Sequence, residues 1–329
     1  MDELHVIYDE IYKSHYPRSF HVENPERLTK ALSILREFKV KSEKPVKVED
    51  PQIVHSEDYI NLVSKSSSLE ENLDVDTYVN KNTYEVALHA LGGSLRAFEL
   101  NGLALLRPPG HHAGINGRAF NAPTLGFCIF NNIAYPVKKL NLRKVVVIDF
   151  DVHYGNGTQE IFYDNPEVLH IDIHQDPRTL YPGTGFPDMV GEGEAEGTKV
   201  NLLIPPLGGD DLYEELFPII ESILDDFEPV IMAISAGFDA FKDDGLANVN
   251  ATERTFYNFG RLSRRFSKRF AVLEGGYSVG LQRGLKSFLE GFLNIEKEYP
   301  IFRSSDAVRT RFLNYLSDEK SILRKYWSI

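Results

Sequence analysis

The segment 148–158, Ile-Asp-Phe-Asp-Val-His-Tyr-Gly-Asn-Gly-Thr, constrains this chain more than any other stretch. It follows the apolar run Val145-Val-Val-Ile148 and sets Asp149, Asp151 and His153 at alternate positions. A β-strand sends alternate side chains to one face. Two carboxylates and an imidazole therefore converge where a buried strand gives way to a glycine-rich turn. Such polar density beside a core strand calls for a use, and a metal ion is the obvious one.

The rest of the chain supplies a sheet to hold that strand. Apolar runs predict further strands over 5–8, 102–106, 145–150, 168–173, 200–204, 230–235 and 270–273. Amphipathic stretches predict helices over 25–38, 57–66, 83–100, 211–226, 252–267 and 281–290. Asn24-Pro25-Glu26 reads as a helix start, and Asn250-Ala-Thr-Glu253 as a capping box with Asn in the serine position. Alternation of strands and helices predicts an α/β fold with a mostly parallel sheet covered on both faces. Segments 107–130 and 175–197 are rich in Gly and Pro and read as long loops, the usual carriers of function. No composition shift divides the 329 residues, so a single domain over 1–329 is expected, with 300–329 as a helical appendage.

Composition narrows the function classes. A net charge of −12 argues against non-specific nucleic-acid binding and is compatible with a cationic substrate. One cysteine, Cys128, allows no intrachain disulfide. The N-terminus lacks the pattern of a signal peptide, and no apolar run is long enough to span a membrane. A reducing, cytoplasmic setting is expected.

Three further segments follow predicted strands, where sites gather in open α/β sheets. Ser235-Ala-Gly-Phe-Asp239 supplies a third candidate ligand. Asp151, His153 and Asp239 would give two carboxylate oxygens and one imidazole nitrogen, leaving a position open for water as in catalytic zinc sites. A single Asp in a loop is more often a turn or capping residue; three such residues at strand ends weaken that explanation. Arg107-Pro-Pro-Gly-His-His-Ala113 offers adjacent histidines, His111 and His112, suited to general acid–base work. Leu273-Glu-Gly-Gly-Tyr277 would present the Tyr277 hydroxyl as a donor to a developing oxyanion.

With these motifs in this order the chain resembles the histone deacetylase superfamily, including acetylpolyamine amidohydrolases and acetoin-utilisation-type proteins. The likeness runs from His21-Val-Glu-Asn-Pro-Glu-Arg27 through Asp74-Val-Asp-Thr77, the His111–His112 loop, Gly126-Phe-Cys-Ile-Phe-Asn-Asn132 and the 149–159 segment. It continues through Tyr181-Pro-Gly-Thr-Gly185 and Gly237-Phe-Asp239 to Glu274-Gly-Gly-Tyr277. The resemblance implies an arginase/deacetylase-type three-layer α/β/α sandwich and a zinc-dependent amidohydrolase, with ferrous iron as the alternative metal. It implies zinc on Asp151, His153 and Asp239, His112 as general base and then acid, and His111 as its electrostatic partner. Tyr277 would polarise the amide carbonyl. Asp149 matches the carboxylate behind His111, and Asn156 stands where some relatives carry Asp behind the second histidine. Gly126, Phe127 and Tyr181 match the walls of an acyl-lysine tunnel, and Asp76 a rim acid that holds the substrate backbone.

The resemblance also implies a buried structural K⁺ or Na⁺ site, to which Asp149 and Asp172 would contribute. Asp172 stands where relatives usually carry Ser, and Tyr154 where many carry a second histidine. Polyamine-selective relatives place a glutamate at the position matching Leu246, so leucine there favours acyl-lysine, or another small acylated amine, over acetylpolyamines. Two rival readings have weaker support. An arginase-like ureohydrolase needs two manganese ions and the pattern Asp-x-His-x-Asp, whose last Asp is missing after His153. A catalytically silent binder of acyl ligands would not need ligands, both histidines and the tyrosine together.

Overall fold

The structure, a computed structural model, describes residues 3–329. In chain order it opens with β1 (Leu4–Ile7), α1 (Glu26–Leu35), β2 (Val40–Glu43), α2 (Glu57–Leu69), α3 (Thr83–Leu100) and β3 (Leu103–Ala104). The middle comprises β4 (Ala113–Gly114), β5 (Gly117–Arg118), α4 (Ala134–Lys139), β6 (Val145–Asp149), α5 (Asn156–Ile161), β7 (Val168–Gln175) and β8 (Lys199–Ile204). The last third holds α6 (Asp210–Phe227), β9 (Ile231–Ala236), α7 (Glu253–Ser263), β10 (Lys268–Leu273), α8 (Leu285–Phe292) and α9 (Asp306–Leu323).

Eight strands form one sheet in the order β2-β1-β3-β10-β9-β6-β7-β8, every neighbouring pair parallel. The strands β6, β7, β8 and β9 are buried along their whole length, and β6 accordingly reads as a near-continuous Val/Ile run. Helices α2, α3 and α4 form one contacting group, and α3 packs on β1, β3 and β10. Helices α1, α6, α7 and α8 form another. The fold is the α/β sandwich with a parallel sheet that the alternation of elements predicted, of the arginase/deacetylase type that the resemblance implied.

Winding order explains the placement of the site. From β3 the chain skips to β6, winds outward through β7 and β8, and returns to insert β9 and β10 between β6 and β3. The carboxyl ends of β3, β10, β9 and β6 thus lie side by side, although their sequence positions span 104 to 273. Ligand sites of open α/β sheets form where the winding reverses.

Local readings held unevenly. Asn24 caps α1 through its Oδ1, which accepts from the Glu26 amide at 2.9 Å. The expected capping role of Asn250 does not materialise. Asp210, at the start of α6, instead accepts from the Thr252 amide at 2.8 Å and from the hydroxyls of Thr252 and Thr255. A fully buried carboxylate from a neighbouring helix thus anchors the start of α7 through Thr252 and Thr255. The predicted helix over 281–290 begins as a π-helical turn, Gly280–Gly284, before α8. Edge strand β2, the two-residue strands β4 and β5 and the short helices α4 and α5 carry too few residues for a clear periodicity. Helix α9 packs on edge strand β8, where Glu319 Oε1 accepts from the Leu203 amide at 2.8 Å. Among the described residues no helix is long and apolar enough to cross a membrane.

Candidate active site

Asp151 and His153 lie just beyond β6, and Asp239 just beyond β9. Ligand atoms of the three lie within 4.8 Å of one another. His153 Nδ1 is 3.1 Å from Asp151 Oδ1 and 3.0 Å from Asp239 Oδ2. The remaining carboxylate oxygens accept backbone amides: Gly275 on Asp151 Oδ2 at 2.7 Å and Val152 on Asp239 Oδ1 at 3.0 Å. Those bonds aim the carboxylates at one point. A Cβ at Gly237 or Gly275 would collide with them, so the cradle requires glycine on both sides.

The electrostatics fit a dication. Burial, with the Asp151 charge added, pushes Asp239 up to about 6 against the opposing pull of His153. Burial disfavours charge on His153 too, yet Asp239 and Asp151 outweigh it and raise it to about 9. Burial and the Asp151 charge disfavour the Asp239 anion, and a divalent ion between the two carboxylates would offset that. Two oxygens and one nitrogen, without sulfur, suit Zn²⁺ or Fe²⁺.

His111 and His112 follow β3 in the loop that leads to the β4–β5 hairpin. Their rings sit 4.1 Å apart, yet their partners differ. His111 Nδ1 is 2.9 Å from Asp149 Oδ2 at the end of β6, whereas His112 Nδ1 is 2.7 Å from Asn156 Oδ1 at the start of α5. Burial works against charge on both. At His111 the carboxylates of Asp149 and Asp151 overcome it, and its pKa rises well above the ordinary imidazole range. At His112 burial is reinforced by His111 and His153, and the pKa falls well below that range. The Asn156 amide nitrogen donates to the Ala119 carbonyl at 3.0 Å, so its oxygen faces His112. His112 therefore carries its proton on Nδ1 and the free lone pair on Nε2.

A cavity of about 230 Å³ joins these groups. His111, His112, Asp151, His153 and Tyr277 line its inner part, and Gly126, Phe127, Tyr181, Leu246 and Asp76 also contribute to its walls. Phe127 and Tyr277 meet edge to face at 6.0 Å, and Tyr181 stands edge-on to His112 at 4.9 Å. Phe127 holds φ +72°, an uncommon strain for an aromatic residue and one that clusters at functional sites. Gly126, at φ +52°, lets the backbone pass so close to His112 and Tyr181 that a Cβ would lie 2.6 Å from the His112 ring. Burial raises the Tyr277 pKa well above 10, so the phenol keeps its proton and remains a donor.

Every candidate site residue read from the sequence lies in or beside this cavity. Asp149 and Asn156 stand behind the histidines, and Asp172 pairs with Asp149 in register across β6 and β7. Ligand atoms of Asp149, His170 and Asp172 also fall within 4.8 Å of one another. Tyr154 takes no part in that cluster and donates to Gln159 Oε1 at 2.6 Å.

Several supporting residues had no assigned role in the sequence reading. Glu274 Oε2 accepts from the amides of Gly110 and His111, fixing the histidine loop to the end of β10. Arg27 donates Nε to the Gly276 carbonyl at 2.7 Å, donates to the Glu274 carbonyl, and lies over the Tyr277 ring at 4.8 Å. Glu23 bridges Arg27 and Arg107, all three buried. Removing Glu23 would strand two buried guanidinium groups, a loss of about 3–5 kcal/mol. Asp244 accepts from the amides of Tyr277, Ser278 and Gly280 at 2.8 Å each, holding the turn that presents Tyr277. The charged residues of the 21–27 motif were the available signal for Glu23 and Arg27.

Known proteins match this arrangement. Residues 21–292 match the histone deacetylase domain model. An uncharacterised protein of Methanocaldococcus jannaschii is 40% identical, the alignment covering 98% of each chain. A probable deacetylase of Archaeoglobus fulgidus is 34% identical, again over 98% of each chain. The crystal structure of the HDA15 HD domain superposes with a TM-score of 0.86 at 30% identity, covering 99% of this chain and 97% of that one. With the domain match spanning most of its length, the chain belongs to the histone deacetylase family.

Proposed function

We propose that the protein is a zinc-dependent hydrolase of N-acyl amines, with acyl-lysine as the preferred class. The observation that carries this reading is the convergence of Asp151, His153 and Asp239 with both histidines and Tyr277 on one narrow, aromatic-walled cavity. Zinc held by those three residues, or ferrous iron in its place, would supply a Lewis acid for the acyl carbonyl and a water of lowered pKa.

The chain's own residues do the rest. Phe127 and Tyr181 hold the linear arm of the substrate and exclude water. His112, neutral with its lone pair on Nε2, takes a proton from the attacking water and returns it to the departing amine. His111, held charged by Asp149, stabilises the negative charge that develops beside it. The Tyr277 hydroxyl donates to the oxyanion as the carbonyl becomes tetrahedral. Leu246, an apolar residue at the cavity wall, suits a neutral acyl-lysine arm and offers no charge to a polyamine. Asp149 and Asp172 supply oxygen donors for a structural K⁺ or Na⁺, and a cytoplasmic setting accords with the single buried thiol of Cys128.

Zinc analysis combined with deacetylation of an acetyl-lysine peptide tests the reading. One equivalent of zinc and turnover are expected. Tyr277→Phe should retain the zinc and lose about 10²–10³ in kcat. Near-full activity in that variant would remove Tyr277 from the oxyanion role. Bound zinc without hydrolysis of any acyl amine would favour a silent acyl-ligand binder.

A further inference from the structure

Tyr154 and Asp172, the two departures from the pattern this chain resembles, lie in one buried polar network. Asp172 stands on β7 between His170 and His174, and alternation along the strand sends all three side chains to one face. All three are buried, as are Asp149, Tyr154, Gln159 and Asn201. Asp149 and Asp172 face each other in register across β6 and β7, and the Gly155 amide donates to Asp172 Oδ2 at 2.9 Å. Gly155 also closes the space beside both carboxylates. A Cβ there would lie 2.5 Å from Asp149 Oδ2 and 3.1 Å from Asp172 Oδ2.

Hydrogen-bond partners fix the protons of His170. Asn201 Nδ2 faces the carbonyls of Phe186 and Met189 at 3.3 and 3.0 Å, so that atom is the donor and Oδ1 the acceptor. Gln159 Nε2 donates to Asn201 Oδ1 at 3.0 Å, and Gln159 Oε1 accepts from the Tyr154 hydroxyl at 2.6 Å. With its orientation set, Gln159 also donates to His170 Nδ1, 3.2 Å from its Nε2. The single His170 proton therefore sits on Nε2, 3.6 Å from Asp172 Oδ2 and without a hydrogen-bond partner. His170 offers the pocket an N–H and no lone pair for a metal.

The pair Asp172–His174 is neutral as a whole. His174 Nδ1 lies 2.6 Å from Asp172 Oδ1, and its Nε2 lies 2.8 Å from the Gly185 carbonyl. A carbonyl oxygen only accepts, so Nε2 carries a proton. A second proton lies between Nδ1 and Oδ1, and the sum is the same on whichever atom it resides. Gly185, at φ +103°, brings that carbonyl in; a Cβ there would lie 2.8 Å from His174 Nε2 and 2.6 Å from the Tyr154 ring. Asp149 is matched in turn by charged His111 at 2.9 Å.

We propose that His174, paired with Asp172, is the built-in counter-ion of the pocket between β6 and β7, so that the protein folds and works without K⁺ or Na⁺. The oxygens offered to an alkali ion above remain, but no net charge remains for the ion to balance. Tyr154 supports the arrangement twice, by packing on the His174 ring at 5.0 Å and by holding Gln159 against His170.

The test transfers the zinc-loaded chain into tetramethylammonium chloride, whose cation is too large for the pocket, and adds K⁺ or Na⁺ at constant ionic strength. The native chain should show no saturable rise in thermal midpoint or in kcat. In His174→Gln the Asp172 charge stands buried and unmatched, and an alkali ion should become necessary. Its thermal midpoint should fall by about 5–10 °C in tetramethylammonium and recover with K⁺. A saturable rise with K⁺ or Na⁺ in the native chain would overturn the proposal. So would a His174→Gln chain as stable as the native one in tetramethylammonium. Only the kcat readout rests on the acyl-amine reading above; the thermal midpoint needs no turnover, so the two readings fail separately.

Discussion

His111 and His112 are neighbours in sequence with rings 4.1 Å apart, and they differ in one partner. Behind His111 stands the carboxylate of Asp149; behind His112 stands the amide of Asn156. Burial pushes both imidazoles toward neutrality. Only at His111 is there enough nearby negative charge to reverse it. Two identical side chains thereby divide into a charged imidazolium and a neutral imidazole. The chemistry of each resides in what the sheet places behind it.

The largest expected effect removes what both histidines serve. Asp239→Ala should abolish zinc binding and activity together; a variant that kept one equivalent of zinc would refute the ligand assignment. Next, the histidines should prove unequal. His112→Ala should lower kcat by about 10²–10⁴, the range of general acid–base catalysis, and His111→Ala by less. Equal losses at saturating substrate would break the division of roles.

A smaller effect sharpens the comparison by erasing it. Asn156→Asp gives His112 a carboxylate like that of His111 and raises its pKa. A base must be deprotonated to act, so the acidic limb of the kcat–pH profile should move upward by about one unit. On that limb, activity at a fixed pH should fall about tenfold while alkaline activity persists. An unmoved acidic limb would show that His112 does not set it.

The smallest effect on catalysis belongs to a buried carboxyl remote from the histidines. Glu319, on α9, is raised to about 8 by burial, and the Leu203 amide only partly offsets this. The folded state therefore holds a proton that the unfolded chain releases near pH 4.5. Stability should be full below that pH and decline as pH rises toward 8, by an amount on the order of a few kcal/mol. Urea denaturation of the native chain and Glu319→Gln across this range should show the extra slope only in the former, with kcat little changed. Parallel slopes would place the Glu319 carboxyl in water instead.

Some of this was legible in the chain. Alternate polar residues after Val145–Ile148 announced a strand end with ligands on one face, because side-chain direction in a strand depends only on position. The histidine pair and the Glu274-Gly-Gly-Tyr277 turn declared themselves by composition and by their place after apolar runs. Less was legible where a role depends on a distant partner. Asn250 resembles a cap, yet it is Asp210 that anchors the start of α7, because α6 brings a buried carboxylate to Thr252. Arg27 looks like an ordinary charge in the first turn of a helix, but it holds the Gly276 carbonyl and the Tyr277 ring, some 250 positions away.

By itself the sequence determined the alternation of strands and helices, the residue types gathered at strand ends, and the metal chemistry open to two carboxylates and an imidazole. These follow from local periodicity and from the donor atoms each side chain carries. Tertiary structure alone decided which strand ends became neighbours, because inserting β9 and β10 between β3 and β6 is a matter of winding. That winding brings Asp239 to Asp151 and Glu274 to the histidine loop. It also places Asp149 behind one histidine and Asn156 behind the other, and protonation follows from the low-dielectric surroundings that packing creates.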